Sequence, residues 1–164
     1  MLIVLTGPPG AGKTSVAQEL ATRFPQSVSF SLDTIRHFVK SGYCDPWEQV
    51  AVDQVELAQA VAVDMIRRYT GGGYVTIVDG IFFEDELHTL RREFEDVHAF
   101  ALLPDLETVL RRDGARPADQ QQPVRSEELH REFSGTKFVD FKVIDSTEQT
   151  VRETVASILR DVSL

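Results

Sequence analysis

Cysteine, tryptophan and positive charge are all scarce in this 164-residue chain. A single cysteine, Cys44, excludes an internal disulfide framework. The four histidines, His37, His88, His98 and His130, are scattered without the spacing of a zinc site. Lys and Arg number 17 against 26 Asp and Glu, a net charge of −9. That balance argues against a long nucleic acid as partner, because a polyanion needs a compensating basic face. Long hydrophobic runs are missing too. The N-terminus is apolar only over Leu2-Ile3-Val4-Leu5 before Gly7-Pro8-Pro9, too short for a signal-peptide core or a membrane span. The expectation is a cytoplasmic enzyme or switch that works away from membranes. With no internal repeat and no long Pro/Gly/Ser linker, one domain is expected over 1–164.

What is present suits a globular fold. Hydrophobic residues make up 42% of the chain and charged residues 26%, and a chain of this length buries roughly 70% of its unfolded surface. Short apolar runs read as buried strands: Leu2–Leu5, Val28–Phe30, the β-branched Tyr74–Val78, Val97–Leu103 and Phe141–Ile144. Helical stripes lie between them. One starts at 13–23. Another, over 48–69, aligns Val55, Ala58, Ala62, Met65 and Tyr69. A third, over 148–162, aligns Val151, Val155, Ile158 and Val162, with Ser146 and Gln149 suggesting its capping box. Strands alternating with helices imply a parallel sheet, whose ligands bind at the carboxyl ends of the strands.

Directly after the first strand stands Gly7-Pro8-Pro9-Gly10-Ala11-Gly12-Lys13-Thr14, which matches G-x-x-x-x-G-K-[ST] at every fixed position. Glycines let backbone N–H groups turn inward around a phosphate, and the helix that follows adds its positive end. Gly7 to Ser15 are therefore the candidate nucleotide-binding residues. Lys13 would reach the β- and γ-phosphates of ATP, and the Thr14 hydroxyl would hold Mg²⁺. No N-K-x-D guanine motif occurs, which disfavours a GTPase switch.

The second strand is followed by Asp33 and, one helical turn later, Arg36. A carboxylate here could orient an acceptor hydroxyl and take its proton, and the arginine could hold an anionic group. Alternatively Asp33 only caps the next helix and Arg36 pairs with it on the surface. Lys40, Tyr43 and Trp47 fall in an aperiodic segment suited to acceptor binding, with ring stacking as one role and plain packing as the other. The third strand ends in Asp79-Gly80, the pattern of a carboxylate that serves Mg²⁺; contact with the acceptor is the alternative. Glu84-Asp85-Glu86 reads as a helix start rather than a metal site, Phe82 and Phe83 as core, and His88 and His98 as surface or packing residues. Asp105 caps a helix whose last turn and following loop carry Arg111, Arg112 and Arg116. Arg116 and at least one of Arg111 and Arg112 are candidates to cover the phosphates; the polar, proline-bracketed 117–123 reads as a mobile loop.

Together the phosphate loop, the D-x-x-R after strand two and the hydrophobic strand ending in Asp79 resemble the P-loop kinase superfamily. Within it the chain is most similar to the small AAA-type bacterial phosphotransferases, a group that includes chloramphenicol phosphotransferase, zeta-toxin-type kinases and the kinase domain of polynucleotide kinase. The resemblance covers essentially the whole chain. It implies an α/β P-loop NTPase sandwich with a five-stranded parallel sheet of nucleotide-kinase type. It further implies an acceptor lobe at about 34–60 and a short lid at about 111–126. By the same resemblance Lys13, Asp33 and Arg116 would be catalytic, with Asp33 as general base. Gly7 to Ser15 and Arg112 would bind nucleotide. Arg36, Lys40, Tyr43, Trp47 and Asp79 would serve the acceptor, and Thr14 and Asp79 Mg²⁺. The expected reaction moves the γ-phosphate of ATP to a hydroxyl of a small molecule. The alternatives are a nucleoside, nucleotide or polynucleotide 5′-hydroxyl kinase, and a nucleotide-binding regulatory ATPase.

Overall fold

The computed structural model describes residues 1–162. Five strands, β1 (Leu2–Thr6), β2 (Ser27–Ser31), β3 (Val75–Asp79), β4 (Val97–Leu102) and β5 (Lys142–Ile144), form one parallel sheet in the order β2-β3-β1-β4-β5. This is the expected architecture. Among the described residues the α-helices are α1 (Lys13–Ala21), α2 (Leu32–Arg36), α3 (Val52–Gly71), α4 (Glu84–Glu93), α5 (Leu106–Gly114), α6 (Pro123–Gly135) and α7 (Val151–Leu159). None of the described helices is long and apolar enough to cross a membrane.

Strand periodicity splits the core into two layers. Along β1, Leu2 and Val4 face a cluster with Ala58, Ala62 and Ile66 of α3 and Leu87 and Leu90 of α4. Ile3 and Leu5 face the opposite cluster, with Val16 and Leu20 of α1 and Val155 and Ile158 of α7. The same alternation places Ile77 on the α1 side of β3 and Val78 on the α3 side. Asp79, two residues after Ile77, therefore points toward α1. β1 lies between β3 and β4, so the turn after β1 opens beside the end of β3.

Four local expectations need correction. The stripe expected over 48–69 opens as a 3₁₀ turn at Gln49–Ala51, becomes α-helix only from Val52 and runs on to Gly71. It buries Ala58, Ala62 and Ile66, whereas Tyr69 is partly exposed. The last helix is capped by Thr150, whose hydroxyl accepts from the Glu153 N–H while the Glu153 carboxylate accepts from the Thr150 N–H and hydroxyl. Ser146 therefore does not cap it; Thr150 with Glu153 meets the same S/T-x-x-E rule one turn later, adjacent to the first helical residue. A helix unseen in the sequence, α6, occupies 123–135, within and beyond the expected lid. Pro123 starts it, where a missing N–H costs nothing, and Leu129 and Phe133 bury its inner face. The 117–123 segment is shorter as a loop than expected, since Ala118–Gln120 is a 3₁₀ turn.

Candidate active site

The loop Gly7–Gly12 between β1 and α1 has the backbone its glycines permit. Gly7, Gly10 and Gly12 have φ of 142°, 82° and 91°. Two of them also sit where no side chain fits. A Cβ on Gly7 would lie 2.2 Å from the Leu102 carbonyl oxygen, and one on Gly10 would lie 2.4 Å from that of Val109. The loop is thus seated on the end of β4 and on α5. Gly12 is the N-cap of α1, and the first intrahelical bond runs from Val16 N–H to its carbonyl. The N–H groups of Lys13, Thr14 and Ser15 are left as donors at the positive end of the helix, the arrangement that binds an anion.

Lys13 folds back over this loop and donates to the carbonyls of Gly7 at 2.7 Å and Pro8 at 3.0 Å. Burial pushes its ammonium down to about 8, against the pull of Asp33 and Asp79; Arg116 pushes it the same way as burial. Asp33, Asp79 and Arg116 thus bear electrostatically on Lys13. Asp79 is 2% exposed. Its carboxylate accepts from the Thr14 hydroxyl at 2.9 Å, uniting the end of β3 with the start of α1. Burial raises its pKa; the hydrogen bond from Thr14 and the charge of Lys13 oppose that shift. These hard oxygen donors, one anionic and one neutral, fit Mg²⁺, which takes few protein ligands beside phosphate and water. Thr6 closes the floor: its hydroxyl donates to the Phe82 carbonyl and accepts from the Phe82 N–H, both at 2.9 Å.

On the acceptor side, Ser31 caps α2 by accepting from the Asp33 N–H at 3.2 Å, so Asp33 is the second residue of the helix and is not the cap. Its side chain is 59% exposed and pairs with Arg36, 19% exposed, at 2.9 Å. The Arg36 Nε is buried without a hydrogen-bond partner. Tyr43 stacks on His37 at 5.0 Å between ring centroids. Lys40 and Trp47 are exposed. The structure gathers Lys13, Thr14, Asp79, Asp33 and Arg36 at the carboxyl ends of β1, β2 and β3; Lys40, Tyr43 and Trp47 belong to the irregular segment beyond α2.

The arginines divide. Arg116 pairs with Asp113 at 3.6 Å. Arg112 turns the other way and donates to the carbonyls of Ser146 at 3.0 Å and Gln149 at 3.4 Å, binding α5 to the turn before α7. Arg111 donates to Thr108. One positioning residue gave no sequence signal. Asp113 is 1% exposed, holds the Gln122 N–H at 2.9 Å and pairs with Arg116, so it fixes both ends of the loop after α5. In sequence it looked like one more polar residue at a helix end.

The chain matches the AAA domain family over residues 2–135. It is 30% identical over 104 residues to a UPF0200 protein of Thermococcus kodakarensis and 32% identical over 103 residues to one of Thermococcus onnurineus, covering 58% and 57% of this chain. It spans about half the length of these curated relatives, 56% and 55%. Among solved structures it is similar to a sugar kinase of Janibacter, with a TM-score of 0.74 and 15% identity over 97% of this chain and 92% of that one. A tunicamycin resistance protein of Deinococcus radiodurans has a TM-score of 0.70 and 23% identity over 99% and 95%. A gluconokinase of Sinorhizobium meliloti has a TM-score of 0.67 and 18% identity over 96% and 91%. The fold is that of the P-loop kinases, as the sequence motifs implied. The chain belongs to the AAA domain family.

Proposed function

We propose that this protein is a phosphotransferase that moves the γ-phosphate of ATP to a hydroxyl of a small molecule. The supporting observation is the hydrogen bond from Thr14 to Asp79 beside a Lys13 that folds over the phosphate loop. The N–H groups at the start of α1 and the Lys13 ammonium bind the β- and γ-phosphates, which draw Lys13 off the Gly7 and Pro8 carbonyls. Thr14 and Asp79 would hold Mg²⁺, which when bound supplies neutralisation of the phosphate oxygens. Asp33 orients the acceptor hydroxyl and takes its proton. The acceptor oxygen bonds to the γ-phosphorus, the bond from that phosphorus to the β–γ bridging oxygen breaks, and ADP leaves with the electron pair. Arg36, already next to Asp33, fixes an anionic or polar group of the acceptor. Arg116 covers the charge that develops during transfer.

The net charge of −9 favours a compact acceptor over a long polyanion. The names of the structural neighbours direct the first acceptor library toward sugars, gluconate and tunicamycin. ATP turnover with Mg²⁺, with and without such compounds, tests the reading. One acceptor class is expected to stimulate turnover. Asp33→Asn is expected to lower kcat on it by about 10²–10⁴-fold, with little change in Tm, because the side chain is 59% exposed. Acceptor-independent hydrolysis that is indifferent to Asp33→Asn would replace this reading with a regulatory ATPase.

A further inference from the structure

Remote from the phosphate loop in sequence, α4 and the segment before β5 bring together Glu84, His88 and Asp140, and their ligand atoms all lie within 4.8 Å of one another. Glu84 and His88 are one helical turn apart on α4, and Asp140 is 52 residues beyond His88. We propose that these three side chains form a binding site for a divalent transition-metal ion of the zinc type, separate from the Thr14–Asp79 pair.

Each carboxylate has one oxygen engaged and one turned to the histidine. Glu84 Oε1 accepts from the Val139 N–H at 2.7 Å and the Asp140 N–H at 3.3 Å. Its Oε2 is buried without a hydrogen-bond partner among the described residues and lies 4.0 Å from His88 Nε2. Asp140 Oδ1 is held by Arg91, which also donates to the Asp140 backbone carbonyl, while Oδ2 lies 2.8 Å from His88 Nε2. Outer partners that grip one carboxylate oxygen orient the other, as they do around bound metals. Donors about 2.1 Å from a shared tetrahedral ion stand about 3.4 Å apart. The separations of 2.8 and 4.0 Å bracket that value, so small side-chain rotations suffice. One imidazole and two carboxylates select zinc or a neighbouring transition ion over Mg²⁺, which prefers oxygen alone. Two carboxylates balance the ion's charge, and Arg91, a cation already paired with Asp140, lessens but does not cancel their attraction. Three protein ligands leave a position for water. The ion would staple α4 to the chain entering β5.

The test is titration of the whole protein with ZnCl₂ under saturating Mg²⁺, followed by calorimetry and by the imidazole NMR signals of His88. One equivalent is expected to bind and shift those signals. His88→Ala, a change at a half-exposed position, should weaken binding about tenfold or more. Asp140→Asn should do the same, and Asp79→Asn should leave it unchanged. Zinc should also raise Tm in the parent and not in His88→Ala. Absence of binding, or binding of equal strength in His88→Ala and Asp140→Asn, overturns the proposal. His88 would then be only a hydrogen-bond tie between α4 and Asp140. The proposal is independent of the phosphotransferase reading, since neither titration nor Tm requires turnover.

Discussion

Raising the pH from 7 to 9 should weaken ATP binding through Lys13 alone. In the free protein burial holds this ammonium at about 8, whereas its ordinary value is 10.5. ATP phosphates favour the charged form and lift that value on binding. Above pH 8, binding must therefore be accompanied by proton uptake, and affinity falls by the factor 1 + 10^(pH − 8). The penalty is about elevenfold at pH 9 against about 1.1-fold at pH 7, a net loss of about tenfold. A lysine at its ordinary value would lose only about 3% at pH 9. Calorimetry in buffers of different ionisation enthalpy should register about 0.9 proton taken up per ATP at pH 9 and about 0.1 at pH 7. Run with saturating Mg²⁺, which keeps the ATP phosphates fully ionised over this range, the experiment reads the protein's protons, and Lys13→Ala should remove the uptake. Affinity that stays level from pH 7 to 9, or no buffer dependence, would refute the lowered ammonium of Lys13 together with its place against the phosphates.

Three further outcomes follow from the same geometry. Without nucleotide, Lys13 binds fewer protons folded than unfolded between pH 8 and 10.5, so its burial penalty is in full force below pH 8 and relieved as pH rises to 10.5. Thermal melts across that window should show a gain in the parent relative to Lys13→Met; equal slopes would contradict this. Gly10→Ala should cost on the order of 1–3 kcal/mol and loosen nucleotide binding, because φ is 82° and the new Cβ would meet the Val109 carbonyl at 2.4 Å; urea unfolding measures it. Thr150→Ala should cost about 1 kcal/mol with kcat unchanged, whereas Ser146→Ala should leave the α7 cap intact; paired denaturation curves decide between the two positions.

The parts of the site legible in the sequence are those whose geometry is local. Gly7 to Thr14 dictate their own backbone, because positive φ at three glycines and a helix starting at Lys13 are short-range properties. Asp33 and Arg36 meet because they are three apart on one turn. Asp79 was legible through strand periodicity, which fixes the side to which it points. The distribution of the arginines was not legible. Arg112 and Arg116 lie four apart, yet one reaches the Ser146 and Gln149 carbonyls and the other Asp113. What separates them is a buried carboxylate and a turn from a distant part of the chain. α6 was obscured because Pro123 reads equally as a loop boundary and as a first helical residue, and its inner stripe has few large apolar side chains. The trio Glu84, His88 and Asp140 could not be read at all. Two of its members share a helix, but the third arrives only through the sheet order that sets β5 beside β4.

The seating of the phosphate loop on two carbonyls has a mechanical consequence. Gly7 and Gly10 press against Leu102 and Val109 with no room for a methyl group, so the loop is packed without slack on the end of β4 and the middle of α5. On the phosphotransferase reading, a hinge would fall beyond Val109, in the loop whose ends Asp113 holds through Arg116 and Gln122. Closure would then be the swing of a short flap beyond a fixed seat, and substitutions that stiffen 114–122 should alter product release rather than phosphate affinity.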